Sequence, residues 1–200
     1  MIRKINNQQK DNCIIHKFEV QVCNMADFKI RKASLEDIPA IRAMADVVFR
    51  RTYKDILSPA QMEYMMDMMY SVSSLERQMT VQRNTFFLAD GMGYVSFRPD
   101  GSDADGTAVF HLEKLYVMPD CQKTGLGRVL FDTVVSEVRK ELEKMSGKTG
   151  KLKGRLELNV NRNNQAIGFY EHIGMYKARQ GDFPIGDGFY MNDYIMALDL

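Results

Sequence analysis

Gln122-Lys123-Thr124-Gly125-Leu126-Gly127 stands between two segments of different periodicity. Ahead of it, residues 108–118 (AVFHLEKLYVM) read as a strand closed by Pro119-Asp120. Behind it, Arg128 to Leu142 (RVLFDTVVSEVRKEL) places apolar residues at helical spacing. A turn with two glycines that opens a helix is a cradle for an anion. Glycine lets backbone approach a ligand closely, and the first helical turn offers unpaired N–H groups at the positive end of the dipole. The stretch therefore points to a nucleotide-like ligand and to an α/β fold.

Two other phosphate motifs do not fit. A Walker loop needs a glycine five positions ahead of its Gly-Lys-Ser/Thr run, and Gly147-Lys148-Thr149 has Leu142 there. The dinucleotide fingerprint needs a third glycine or alanine, where Gly125-Leu126-Gly127-Arg128-Val129-Leu130 has Leu130. Both a P-loop and a nicotinamide or flavin site are disfavoured.

What remains is Gln-x-x-Gly-x-Gly after Leu115-Tyr116-Val117-Met118-Pro119, and it resembles the acetyl-CoA loop of the GCN5-related N-acetyltransferase (GNAT) superfamily. A second block further on, LELNVNRNNQAIGFYEHIGMYKA (Leu156 to Ala178), is similar to that superfamily's next motif through Asn163, Ala166, Tyr170 and Gly174. The resemblance spans Phe28 to Leu200. It implies acetyl-CoA as acetyl donor, with the pantetheine arm on backbone N–H groups of Leu115 and Val117, where the strand splays from its neighbour. The pyrophosphate would lie on the loop at Gln122, Lys123, Thr124, Gly125, Leu126, Gly127 and Arg128. It further implies Tyr170 as the acid that protonates the departing thiolate, and Asn163 as a pantetheine contact, although a helix cap reads equally well there. For the base, Glu113 and His111 lie two residues apart on one strand and so can share a face. Glu113 is the first choice and His111 the second, with water-only deprotonation as the alternative.

Length and composition agree with one soluble domain. Two hundred residues, 45% of them hydrophobic, suffice for a single α/β core and are few for two. A formal net charge of +1 gives no reason to invoke nucleic acid, and no apolar run approaches a membrane span. Cys13, Cys23 and Cys121 are an odd number without a CxxC pair, so neither a disulfide framework nor a metal site is expected, and a reducing cytoplasm fits. MIRKINNQQKDN lacks the apolar stretch of a secretory signal. Residues 1–24 read as a polar extension containing one short strand, CIIHKFEVQV, and residues 25–200 as the domain.

Along the domain, Phe28 to Arg31 is predicted as a strand. Ser34 to Asp37 starts a helix through Ile38, Ile41, Ala45 and Val48, and further helical runs cover Pro59 to Met69 and Leu75 to Val81. Thr85 to Ala89 and Tyr94 to Arg98 flank a glycine-bearing hairpin turn, and residues 99–106 (PDGSDADG) read as turn throughout. SGKTGKLKG (146–154) is a basic connector, followed by a strand at Arg155 to Val160, a helix at Asn164 to His172, and strands at Tyr176 to Gln180 and Tyr190 to Asp199. The order β-α-α-β-β-β-α-β-α-β-β predicts a mixed, mostly antiparallel sheet with helices on both faces.

The acceptor side is less defined. Asp182, Asp187, Asp193 and Asp199 fall in a C-terminal stretch with no Lys or Arg after Arg179, which would favour a cationic acceptor, a small primary amine such as a polyamine. The alternatives are a protein lysine or N-terminal amine as acceptor, and a module that binds acyl-CoA without catalysis. The sequence leaves both monomer and homodimer open.

Overall fold

The structure, a computed structural model, describes residues 28–147 and 152–200. The expected strand CIIHKFEVQV and the middle of the basic connector lie outside the described residues. Chain order is β1 (Ile30–Lys32), α1 (Ile38–Tyr53), α2 (Pro59–Tyr70), α3 (Val72–Thr80), β2 (Thr85–Ala89), β3 (Gly93–Ser102), β4 (Ala108–Val117), α4 (Leu126–Ser146), β5 (Gly154–Asn161), α5 (Ile167–His172), β6 (Tyr176–Gly186) and β7 (Phe189–Asp199). The strands form one sheet in the order β1-β2-β3-β4-β5-β7-β6, with β4–β5 the parallel pair and the other neighbours antiparallel.

The apolar periodicity decides which helices cover which face. Leu126, Leu130, Phe131, Val134 and Val138 form one stripe of α4 and pack with Tyr170 and Ile173 against Phe97, Phe110, Leu112, Leu156 and Leu158. On the opposite face Ile41, Ala45, Val48 and Phe49 of α1, with Met62 and Met65 of α2 and Leu75 of α3, cover Phe86, Leu88 and Tyr94. Each fully buried Leu or Phe contributes about 1.5–3 kcal/mol by leaving water, so both faces are held by apolar burial. β3 is buried at every position from Gly93 to Phe97 because helices lie over both its sides.

Several boundaries differ from the sequence reading, each for a physical reason. The helix start at Ser34 is a 3-10 turn, Leu35–Asp37, before α1 begins. The Ser34 N–H donates to Asp37 Oδ2 at 2.8 Å, and Arg31 grips the same carboxylate, holding it down to about 2. The helical run expected at Leu75 to Val81 is a full element, α3, so three helices separate β1 and β2 where the expected order had two. β3 runs on to Ser102 through the expected turn: Asp100 and Gly101 bulge out between the pairs Pro99–Phe110 and Ser102–Ala108, and the bulge absorbs a proline in the ladder. β6 continues past Gly181 and Pro184 to Gly186, because a sheet-edge strand tolerates a missing donor. Helix α5 is regular only from Ile167, since Asn164 Oδ1 accepts the Ala166 N–H at 2.9 Å and turns the preceding chain.

One irregularity shapes the site. Ser96 pairs with Lys114 and Phe97 with Leu112, so Glu113 is the extra residue of a β-bulge. Before it, Phe110 and Leu112 point into the α4 core; after it, Leu115 and Val117 do, while Tyr116 turns to the α1 side. The bulge resets the alternation of β4.

Candidate active site

The parallel pairing of β4 with β5 runs from Ala108–Gly154 to His111–Glu157 and stops there. Residues 112–117 of β4 and 158–161 of β5 then diverge, and β5 takes β7 as its neighbour on the other side. The opening has a strand edge on each side and the 122–128 loop at its end.

The loop is built for its conformation. Gly125 caps α4 with φ of 94°, left-handed backbone that a β-carbon resists. Lys123 also has positive φ, 62°. Gln122 Nε2 donates to the Val117 carbonyl at 3.1 Å and Thr124 Oγ1 to the Cys121 carbonyl at 2.7 Å, tying the loop to the end of β4. The first α-helical bond runs from the Val129 N–H to the Gly125 carbonyl, so the amides of Leu126, Gly127 and Arg128 are the helix-end donors. Leu126 is buried and anchors the turn, while Arg128 bonds Asp132 one turn on. A β-carbon at Gly127 would lie 3.5 Å from the Phe169 ring, ordinary contact, so packing alone does not demand glycine there.

Tyr170 follows Phe169 on α5 and is 8% exposed. Burial, reinforced by Tyr53, pushes its phenol above the usual value and keeps it neutral. Burial raises the phenol of Tyr53, at the end of α1, above its usual value, with Asp193 adding to the rise and Tyr116 and Asn164 near enough to oppose it. Tyr94 donates to Tyr70 Oη at 3.0 Å, and the tilted ring of Tyr116 lies 5.6 Å from that of Tyr94, so a chain of aromatic rings runs from β4 through β3 to the end of α2. Asn163 makes no cap: its N–H donates to Asn161 Oδ1 at 3.0 Å, and Asn164 makes the turn into α5.

His111 and Glu113 stand near each other in one ionic group. Glu113 Oε1 accepts from Arg98 Nε at 2.6 Å, and Arg98 also binds Asp100. His111 pairs in register with Arg98 and Glu157, and burial lowers its imidazole below the ordinary value against the pull of Glu113 and Asp100. Glu157 accepts both Arg179 nitrogens, at 2.9 and 2.6 Å. The four C-terminal aspartates do not form a common wall. Asp182 binds Arg162 and Asn192, Asp199 binds Arg155 and Tyr176, and Asp187 lies in the β6–β7 turn. Asp193 alone of the four is buried. Sequence reading missed Tyr53, Tyr116 and Asn164; only Asn164, an Asx-turn residue ahead of a helix, carried a local signal.

Residues 82–174 match the family model for the acetyltransferase (GNAT) domain. Among solved structures, the chain resembles the PaiA N-acetyltransferase from Thermoplasma acidophilum in complex with coenzyme A, at 23% identity over 86% of this chain and 98% of that one, with a TM-score of 0.62. It resembles the ribosomal-protein-S18-alanine N-acetyltransferase from Escherichia coli at 22% identity, 86% and 92% coverage and a TM-score of 0.55. It also resembles Arabidopsis thaliana NAA60 in complex with a bisubstrate analogue, at 15% identity, 86% and 98% coverage and a TM-score of 0.56. The match to the GNAT domain model thus covers the stretch from β2 to the end of α5, and the likeness to these solved structures is one of fold.

Proposed function

We propose that the protein transfers an acetyl group from acetyl-CoA to a primary amine on a small cationic acceptor. The observation that carries this reading is the meeting of the 122–128 loop with the unpaired end of β4. Amide donors at a helix N-terminus suit a pyrophosphate, and a strand edge that has lost its neighbour suits an amide-bearing arm. In this reading Gln122, Lys123, Thr124, Gly125, Leu126, Gly127 and Arg128 hold the pyrophosphate, and Leu115, Val117 and Asn163 the pantetheine. Acetyl-CoA, when bound, supplies the thioester. Tyr170 holds a proton at its phenol oxygen, and burial keeps that proton in place until a thiolate needs it.

Two residues are candidates to receive the amine's proton. Glu113 spends one carboxylate oxygen on Arg98, whereas burial keeps His111 neutral at pH 7 and so able to accept. This favours His111 over Glu113.

The acceptor side supports a small substrate. Tyr64 of α2 donates to the Ile185 carbonyl at 2.8 Å, Gln61 Nε2 to the Tyr190 carbonyl at 2.9 Å, and Tyr64 packs on Phe189 at 5.4 Å. These contacts tie α2 to the β6–β7 hairpin, across the groove that a peptide acceptor needs open. CoA release from acetyl-CoA, measured with small amines, with peptides bearing a free N-terminus and with lysine peptides, tests the reading. Faster turnover of peptides than of every small amine would overturn it.

A further inference from the structure

Other carboxylates of the sheet come with cations. Glu157 holds Arg179, Glu113 holds Arg98, and Asp182 holds Arg162. Asp193 is different. It is 5% exposed, its Oδ2 accepts only Asn159 Nδ2 at 3.3 Å, and its Oδ1 is buried with no hydrogen-bond partner among the described residues. Arg162 is close enough to influence it but gives its guanidinium to Asp182. Nothing in the fold requires an acid at this position: β7 pairs it with Asn161 on one side and Gly181 on the other through backbone. A buried, unpaired carboxylate oxygen is costly, and a cation from outside the chain would satisfy it.

The surroundings say which cation. Asp193 pairs in register with Asn161, the end of β5 that leads into the helix of Tyr170, and Tyr53 is near enough to influence Tyr170 and to be influenced by Asp193. A carboxylate in contact with the reacting amine would hold that amine protonated and oppose attack. One on β7, across β5 from the opening, can take a second charge on the same molecule instead.

We propose that Asp193 Oδ1 binds a second ammonium of the acceptor, making the enzyme selective for diamines and longer polyamines over monoamines. This rests on the amine-acetylating reading above. Asp193 is then the specificity residue of the acceptor site, and the remaining C-terminal aspartates are structural.

The test measures CoA release with putrescine and with butylamine as probes, in the wild type and in Asp193→Asn. The wild type is expected to show a KM for putrescine lower than that for butylamine by about tenfold or more, the scale of one charge-assisted contact. Asp193→Asn should erase that difference by raising the putrescine KM, leaving the butylamine KM and acetyl-CoA affinity unchanged. Turnover of both amines by the wild type with equal KM overturns the proposal without any variant. So does an unchanged putrescine preference in a folded Asp193→Asn protein. A wild type that acetylates neither amine but does acetylate peptides overturns the small-amine reading, and the role of Asp193 with it.

Discussion

Lys114 Nζ donates to Gln78 Oε1 at 2.8 Å in a buried site where no carboxylate among the described residues pairs with it. The ammonium lies 5.5 Å from the Tyr70 ring centre and 5.8 Å from that of Phe86, and Gln78 in turn bonds Ser74 and the Met69 carbonyl. Burial lowers the Lys114 pKa from 10.5 to about 8. Above the folded pKa the native state has lost a proton that the unfolded state still holds, so stability should rise with pH from about 8. Toward pH 10 the buried tyrosines Tyr70, Tyr94 and Tyr116 act the other way, because their phenols ionise first in the unfolded chain. Denaturant midpoints are therefore expected to climb between pH of about 8 and 9.5 and then level off. Lys114→Met should lose the climb and, with Gln78 Oε1 left unpaired, stay within about 2 kcal/mol of the wild type at pH 7. A flat wild-type profile over that range would contradict the buried-cation account.

Gly125→Val should abolish acetyl-CoA binding. The φ of 94° is strained for any β-carbon and worst for a branched one, so the cap would unwind and the amides of residues 126–128 would lose their common direction. Calorimetry is expected to find micromolar-range affinity, the order common for substrates, in the wild type only. Equal binding by both proteins would place the site elsewhere.

Tyr170→Phe removes one hydroxyl from a residue buried beside Phe169. With saturating amine, kcat is expected to fall roughly 10²-fold, while acetyl-CoA affinity changes little, because general-acid assistance acts on the chemical step. An unchanged kcat would leave Tyr170 a core aromatic beside Phe169.

His111 and Glu113 are separated by the pH–rate profile. A proton acceptor works only when deprotonated, so activity should fall as pH drops through the acceptor's pKa. With His111 held below the ordinary imidazole value of about 6.5, the acidic limb of kcat/KM should lie under that value. His111→Gln should remove this limb and Glu113→Gln should shift it only modestly. The reverse pattern would return the role to Glu113.

Much of the fold was legible because its signals are local. The anion-cradle reading at Gln122 to Gly127 and the strand before it follow from turn geometry within a few residues, and α4 from a 3.6-residue apolar stripe. The hairpin at Asp90 to Gly93 was equally plain. The ends of β3 and β6 were not, because Pro99 and Pro184 look like terminators until bulges and an edge position accommodate them.

The sequence by itself determined the family resemblance and the mixed sheet with helices on both faces, since period, turn chemistry and motif spacing are properties of neighbouring residues. Tertiary structure alone decided the identities within the cleft. Whether a carboxylate is spent or available depends on which arginine the sheet register delivers: Arg98 to Glu113, Arg179 to Glu157, and none among the described residues to Asp193. The Glu113 bulge likewise turns Tyr116 and Lys114 toward α1–α3, a facing that strict alternation along β4 would assign otherwise. Charge pairing and facing across a sheet are long-range relations, set by packing of segments far apart in the chain, and no local pattern encodes them.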